Sequence, residues 1–293
     1  MQTTIVLSES TANSDDVNLA HLFSSVNRKI LAPVDKKGNA QNFHVQVRTL
    51  CDHASNELRT TIKTANTGYV TKQAVKAWYR VWRQKFRDAG ISMKELGPYG
   101  SVFKPRLQNT LYASGGDHWG GTSVRSGEWN YSDIIFDNPA THGSGSTIEA
   151  EDMVSQATMY LIGASSEVSG GNEMEDFDGV GMISSWIGSR SGSPGTKGGD
   201  ASADAQLVAD NPLIFARSDK AASDTLLEEV RDLQVDEAPY IDSDLSALFS
   251  QAVLNHSAAD TGLVTVSAPC GWLRLETSEA ATVEITLLGI SDM

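Results

Sequence analysis

Apolar and polar residues alternate along most of this chain with a period of two, the spacing of a strand with one buried face. Residues 2–7 are short and β-branched. Over 42–50, Phe43, Val45 and Val47 alternate with His44, Gln46 and Arg48, and 58–64 repeats the pattern with Arg59, Thr61 and Lys63 on the polar face. Further strands are predicted at 128–136, 157–163, 182–188, 213–217, 263–266, 272–277 and 282–289. In the last, Val283, Ile285 and Leu287 share a face opposite Glu284 and Thr286. About ten short strands separated by Gly, Ser, Asn and Asp predict a mainly β protein, an antiparallel β-sandwich.

Two segments switch to the helical period. Over 70–89, Val70, Ala74, Trp78, Val81, Trp82 and Phe86 recur at steps of three and four, with Lys72, Lys76, Arg80, Arg83 and Arg87 mostly elsewhere. That is an amphipathic helix, with Thr71 as its cap and Gly90 as its stop. A second helix is predicted over 222–233, with Ser223 as cap and Leu226, Leu227 and Val230 buried. The stretches 140–146, 165–181 and 189–204 are rich in Gly and Ser and read as long loops. No linker divides the chain, so 1–293 reads as a single domain with large loop insertions, and 293 residues suffice for a sizeable core.

Charge changes this picture. The formal net charge of -14 excludes a uniformly basic nucleic-acid-binding protein. Its distribution is uneven, however: residues 1–110 carry 16 Lys/Arg and 8 Asp/Glu, and residues 111–293 carry 7 and 29. Between Arg59 and Arg106, 11 basic residues face only Asp88 and Glu95. A stretch of +8 followed by one of -22 predicts either a surface for nucleic acid or another acidic partner, or two faces that meet each other. No apolar run is long enough to cross a membrane as a helix, and the opening MQTTI carries no signal-peptide pattern.

Motifs for catalysis are sparse. The only G-x-S-x-G-like run, 188–192, places Arg190 among its serines rather than a nucleophile elbow, and there is no phosphate-binding glycine loop. His21, His44, His53, His118, His142 and His256 form no metal-ligand pair and read as surface or hydrogen-bonded histidines. Cys51 and Cys270 are too few for a disulfide framework; Cys51 reads as a buried structural residue, despite its neighbours Asp52 and His53. The acidic run 173–179 reads as a solvated loop, with Glu173, Asp176 and Asp178 as its calcium candidates. No cofactor other than that calcium is implied, and the chain reads as no enzyme. A hydrolase built from carboxylates distant in sequence would leave no local motif.

The remaining chemistry is on the 70–89 helix, where Trp78, Tyr79, Trp82 and Phe86 are set among Lys72, Lys76, Arg80, Arg83, Lys85 and Arg87. Cations neutralise phosphates and aromatic rings stack on bases. The i, i+4, i+8 spacing of Trp78, Trp82 and Phe86 predicts instead that those rings face a core, leaving the six cations as the candidate contact with nucleic acid or an acidic partner.

Residues 76–90 (KAWYRVWRQKFRDAG), 96–100 (LGPYG), 268–275 (APCGWLRL) and 283–288 (VEITLL) give the chain a resemblance to the jelly-roll capsid proteins of small icosahedral viruses, of the environmental circular single-stranded DNA virus type. The resemblance implies a jelly-roll sandwich that assembles with copies of itself into an icosahedral virion shell inside a host cell, around single-stranded viral nucleic acid, with no membrane. One departure is plain: the Arg-rich arm that begins many such proteins has no counterpart in residues 1–27, which hold no Lys or Arg. Genome-facing charge would then come from 59–106. The competing expectation is a carbohydrate-binding or adhesive sandwich of phage fibre or baseplate type, whose sign would be exposed tryptophans among Trp119, Trp129 and Trp186.

Overall fold

A computed structural model describes residues 2–9, 13–51, 57–108, 129, 131–137, 154–162, 166–168, 176–183, 185–186, 249–257 and 260–293. The strand predicted at 213–217, the helix at 222–233, and the loops at 140–146 and 189–204 lie outside these residues.

Eight strands form two antiparallel sheets. They are β1 (Thr4–Glu9), β2 (Asn13–Asn18), β3 (Gln41–Cys51), β4 (Glu57–Thr64), β9 (Phe249–Ser257), β10 (Thr261–Pro269), β11 (Trp272–Thr277) and β12 (Ala281–Asp292). One sheet runs β1-β12-β3-β10 and the other β2-β11-β4-β9. Four nested pairs generate this order: β4 with β9, β3 with β10, β2 with β11, and β1 with β12. A long hairpin rolled over itself, then zipped along β3–β12 and β4–β11, is the jelly roll.

Period two explains the core. Phe43, Val45 and Val47 of β3 are fully buried, as are Val283 and Ile285 of β12, whose Ile285 lies opposite Val47. Facing them are Leu273 and Leu275 of β11, registered against Val17 of β2 and Ile62 of β4. Helix α1 (Leu19–Asn27) adds Leu19, Leu22 and Phe23 to this core. Its cap is Asn18, whose side-chain oxygen accepts from the His21 backbone N–H at 2.9 Å.

Every other described helix and strand falls between β4 and β9. Helix α2 (Tyr69–Asp88) is followed by the short turn α3 (Gly97–Gly100) and by strands β5 (Asp133–Asp137), β6 (Val154–Tyr160), β7 (Ser166–Val168) and β8 (Asp176–Gly181). These strands form a third sheet in the order β5-β6-β8-β7, with β6 and β8 parallel. The jelly roll therefore carries its largest insertion, residues 65–248, at one hairpin end.

Several expectations need correction. The loop predicted over 165–181 contains strands β7 and β8; their glycines and acids hid them from a hydrophobic pattern. Residues 182–183 and 185–186 have helical backbone in place of the predicted strand, and Met182 and Ile183 are both buried. Strand β5 begins at Asp133, five residues later than predicted, and Trp129 precedes it. The cap of α2 is Gly68 rather than Thr71, which is buried within the first turn. At its other end Gly90 behaves as expected: at φ 74° it ends the helix, with Ile91 N–H donating to Phe86 and Gly90 N–H to Arg87. Strands β2 and β9 and helix α1 add elements the pattern did not predict.

Candidate functional site

Helix α2 places its aromatic stripe in a second core. Trp78, Tyr79 and Trp82 are buried with Val34, Ala40, Phe103, Leu107 and Trp272. The Trp82 ring lies 5.0 Å from Phe86 and 5.4 Å from Phe103, and Tyr79 lies 5.9 Å from Phe103. The stripe is packing, as its spacing predicts.

Five of the six candidate cations share the neighbouring face. At 3.6 residues per turn, Lys72, Lys76, Arg80, Arg83 and Arg87 fall within about 80° of arc, over a length of about 22 Å. Lys85 points to a different side of the helix. Arg80, Lys85 and Arg87 are exposed, and Lys72, Lys76 and Arg83 are half-buried. None of the six makes an ion pair among the described residues. Their contacts are with neutral groups: Lys76 Nζ donates to Asn39 Oδ1 at 3.4 Å, Arg87 donates to Gln84 Oε1 at 3.1 Å, and the Arg83 guanidinium sits 5.7 Å from the Tyr79 ring centre.

Sequence reasoning missed what the fold brings alongside. The turn between α1 and β3 packs on α2 at Tyr79, whose hydroxyl donates to the Lys36 carbonyl at 2.7 Å. Gly38, at φ 87°, lies so close to the Tyr79 ring that a Cβ there would collide with it. This seats exposed Lys36 and Lys37 beside the cation stripe. Asp35, the carboxylate of the turn, is occupied by the turn itself. Its Oδ1 accepts from the backbone N–H groups of Lys37 and Asn39 at 2.8 and 2.7 Å, and its Oδ2 accepts from the Asn39 amide at 3.0 Å. Burial alone would raise the Asp35 pKa, but these donors together outweigh it and hold the carboxyl below its ordinary value. Sequence carried one signal for this turn, the DKKGN run at 35–39.

A second polar cluster lies beneath the insertion. Arg274 of β11 pairs with Asp16 of β2 at 3.1 Å and with Glu276 at 3.3 Å, and Glu276 also meets Lys63 of β4 at 2.8 Å. The segment 103–108 covers this outer face of the sheet. Gln108 donates to Asp16 Oδ2 at 2.7 Å, and Trp272 Nε1 donates to the Pro105 carbonyl at 2.9 Å. Lys104, in the same segment, lies 5.1 Å from the Trp129 ring centre, and its burial lowers its pKa. Trp129 in turn stacks on His21 at 5.2 Å. This arrangement joins insertion to sandwich.

The remaining candidates are dispersed. His44 bridges Ser267 and Ser291 at 2.9 Å each, and His256 bonds Thr49 at 2.8 Å, so both are hydrogen-bonded strand residues. His53, His118 and His142 lie outside the described residues. Both cysteines are unbridged; Cys270 is fully buried, with its thiol pushed up to about 12 by burial, whereas Cys51 is only half-buried. Of the calcium candidates, Asp176 and Asp178 fall on β8 and Glu173 lies outside the described residues. Among the described residues, no three His, Cys, Asp or Glu residues gather as a metal site. No described helix is long and apolar enough to cross a membrane. Trp129 is buried and Trp186 half-buried, packed edge-on to Tyr69 at 6.1 Å; Trp119 lies outside the described residues.

Fold and site together define a jelly-roll β-sandwich with a cation-striped helix in its largest insertion. No family model, curated protein or solved structure matches the chain.

Proposed function

We propose that this chain is the subunit of a self-assembling closed shell, a major capsid protein of a small icosahedral virus. The observation that carries the reading is the strand order, β1-β12-β3-β10 over β2-β11-β4-β9, which is the jelly roll. Fold alone does not fix function, and the same architecture serves lectins and cupins. Three features favour the shell. The two sheets share a continuous apolar core, which makes a rigid block. Helix α2, the segment 103–108 and strands β5–β8 add surface between β4 and β9, and in a shell such added surface would serve contacts between copies. The cation stripe on α2 gives the described part of the insertion a positively charged face, suited to a shell that encloses a nucleic acid.

The mechanism is geometric: a rigid wedge sets the angle between copies, and loops and helices supply the contacts. Size-exclusion chromatography with light scattering, followed by negative-stain microscopy, tests this on the purified chain. Closed particles of megadalton mass are expected. A monomer of 31.4 kDa that binds glycans would overturn the shell in favour of an adhesive module.

A further inference from the structure

We infer that α2 and the turn at 35–39 form one composite surface that binds the backbone of single-stranded nucleic acid. Its cations are Lys72, Lys76, Arg80, Arg83 and Arg87 on the helix and Lys36 and Lys37 on the turn. The inference deepens the shell reading by naming what this surface holds.

Charge complementarity identifies the occupant. Five helix cations spread over about 22 Å recur every 5–6 Å or so, a spacing at which successive phosphates of an extended strand can each be met. Among the described side chains, none of these cations lies within 4.0 Å of a carboxylate oxygen. Asp35 is held by its own turn, and Glu95 accepts from the Ser92 backbone N–H at 2.8 Å. An acidic protein surface is the less suitable partner, because protein interfaces are built on buried apolar cores from which lysine is depleted. On this arc the exposed large apolar residue is Tyr69 alone, among the described residues.

Tyr69 selects single strands over duplexes. It is the first residue of α2, it is 69% exposed, and helical phase puts it in line with Arg80 and Arg87. Its ring stands nearly perpendicular to Trp186, at 75° with centroids 6.1 Å apart, and its exposure leaves ring surface open for stacking. Cations tracking a backbone with an aromatic ring beside them is the arrangement that holds unpaired bases without regard to sequence. Arg83 is positioned in advance by its stacking on Tyr79, which lowers the entropy lost when it meets a phosphate.

Fluorescence anisotropy of the full chain with a labelled oligo-deoxythymidine of about 20 nucleotides tests the surface, read at rising salt. Binding is expected to weaken with salt along a log–log slope of about -3 to -4, the value for some five phosphates met on a single strand. Joint Arg80→Glu, Arg83→Glu and Arg87→Glu substitution is expected to cut affinity at least about tenfold and to flatten that slope. Tyr69→Ala is expected to weaken the oligonucleotide about fivefold or more, with no effect on competing inorganic polyphosphate, which has no bases. Should the triple variant fail to fold by circular dichroism, Arg80→Gln with Arg87→Gln, both at exposed positions, is read in its place.

No binding by the unaltered chain, or equal binding by the variants, overturns the surface. Equal affinity for a duplex, with Tyr69→Ala silent, overturns its single-strand selectivity. Particles that form yet ignore the oligonucleotide overturn this inference alone, whereas a monomer that binds it overturns only the shell.

Discussion

The guanidinium of Arg274 stands 3.1 Å from the carboxylate of Asp16, with the two side chains only 1% and 3% exposed. Buried pairs of this kind depend on every partner being present, because a lone charge left in a low dielectric costs more than the pair ever gained. Gln108, reaching Asp16 from the segment 103–108, makes the pair a joint between that segment and the sandwich. Asp16→Ala is therefore expected to lower stability by about 3–5 kcal/mol, while Asp16→Leu combined with Arg274→Met recovers part of that loss, the Gln108 amide being left without its acceptor. Urea midpoints of the three chains check this; a double variant no better than the single would refute it.

Asp35 gives a pH dependence of defined sign. Its pKa in the folded chain lies below the ordinary 3.8, so its charged form is the one folding favours. The stability it contributes is fully present above pH 3.8 and is lost as pH falls through the lower folded value. Asp35→Asn keeps an acceptor oxygen and removes the charge. The difference in unfolding midpoint between parent and variant is expected to be constant near neutrality and to shrink in strong acid. A difference that grows on acidification would contradict the assignment.

The two thiols separate by burial. Thiolate is the reactive form, and Cys270, pushed up to about 12 inside the core, supplies almost none of it near neutrality. An aromatic disulfide reagent is expected to label Cys51 in the native chain and Cys270 only when the chain opens. The neighbouring Gly271 tightens this test. It sits at φ 77°, and a Cβ there would lie 3.0 Å from the Ala20 backbone nitrogen. Gly271→Ala is expected to cost at least about 1 kcal/mol and to speed labelling of Cys270. Equal labelling of both thiols in the native parent would count against the burial.

Strands with one wet face were legible from the sequence. Over β3, β4 and β12 the alternation of apolar and polar residues survives into the structure, because a single buried face writes period two directly into the chain. Strands β2, β7 and β8 were not legible. β2 carries Asp15 and Asp16 at buried positions, and β7 and β8 are short and rich in Ser, Gly and acids. Their strand character comes from pairing with neighbours, which no local pattern records. Helix α2 was legible in both its faces, yet its cap was not. Gly68 starts the helix without a side-chain cap, so the threonine signal at Thr71 misled.

The sequence by itself determined that this protein is β-rich, that its helix near 70–89 carries an aromatic stripe beside a basic one, and that its charge is divided along the chain. These are properties of residue order at short range. Tertiary structure alone decided that the strands nest as a jelly roll and that Arg274 meets Asp16. It alone also decided that Lys36 and Lys37 join the stripe on α2. Each of these pairs residues far apart in the chain, and such a pairing is fixed only when the chain closes on itself to bury its apolar faces.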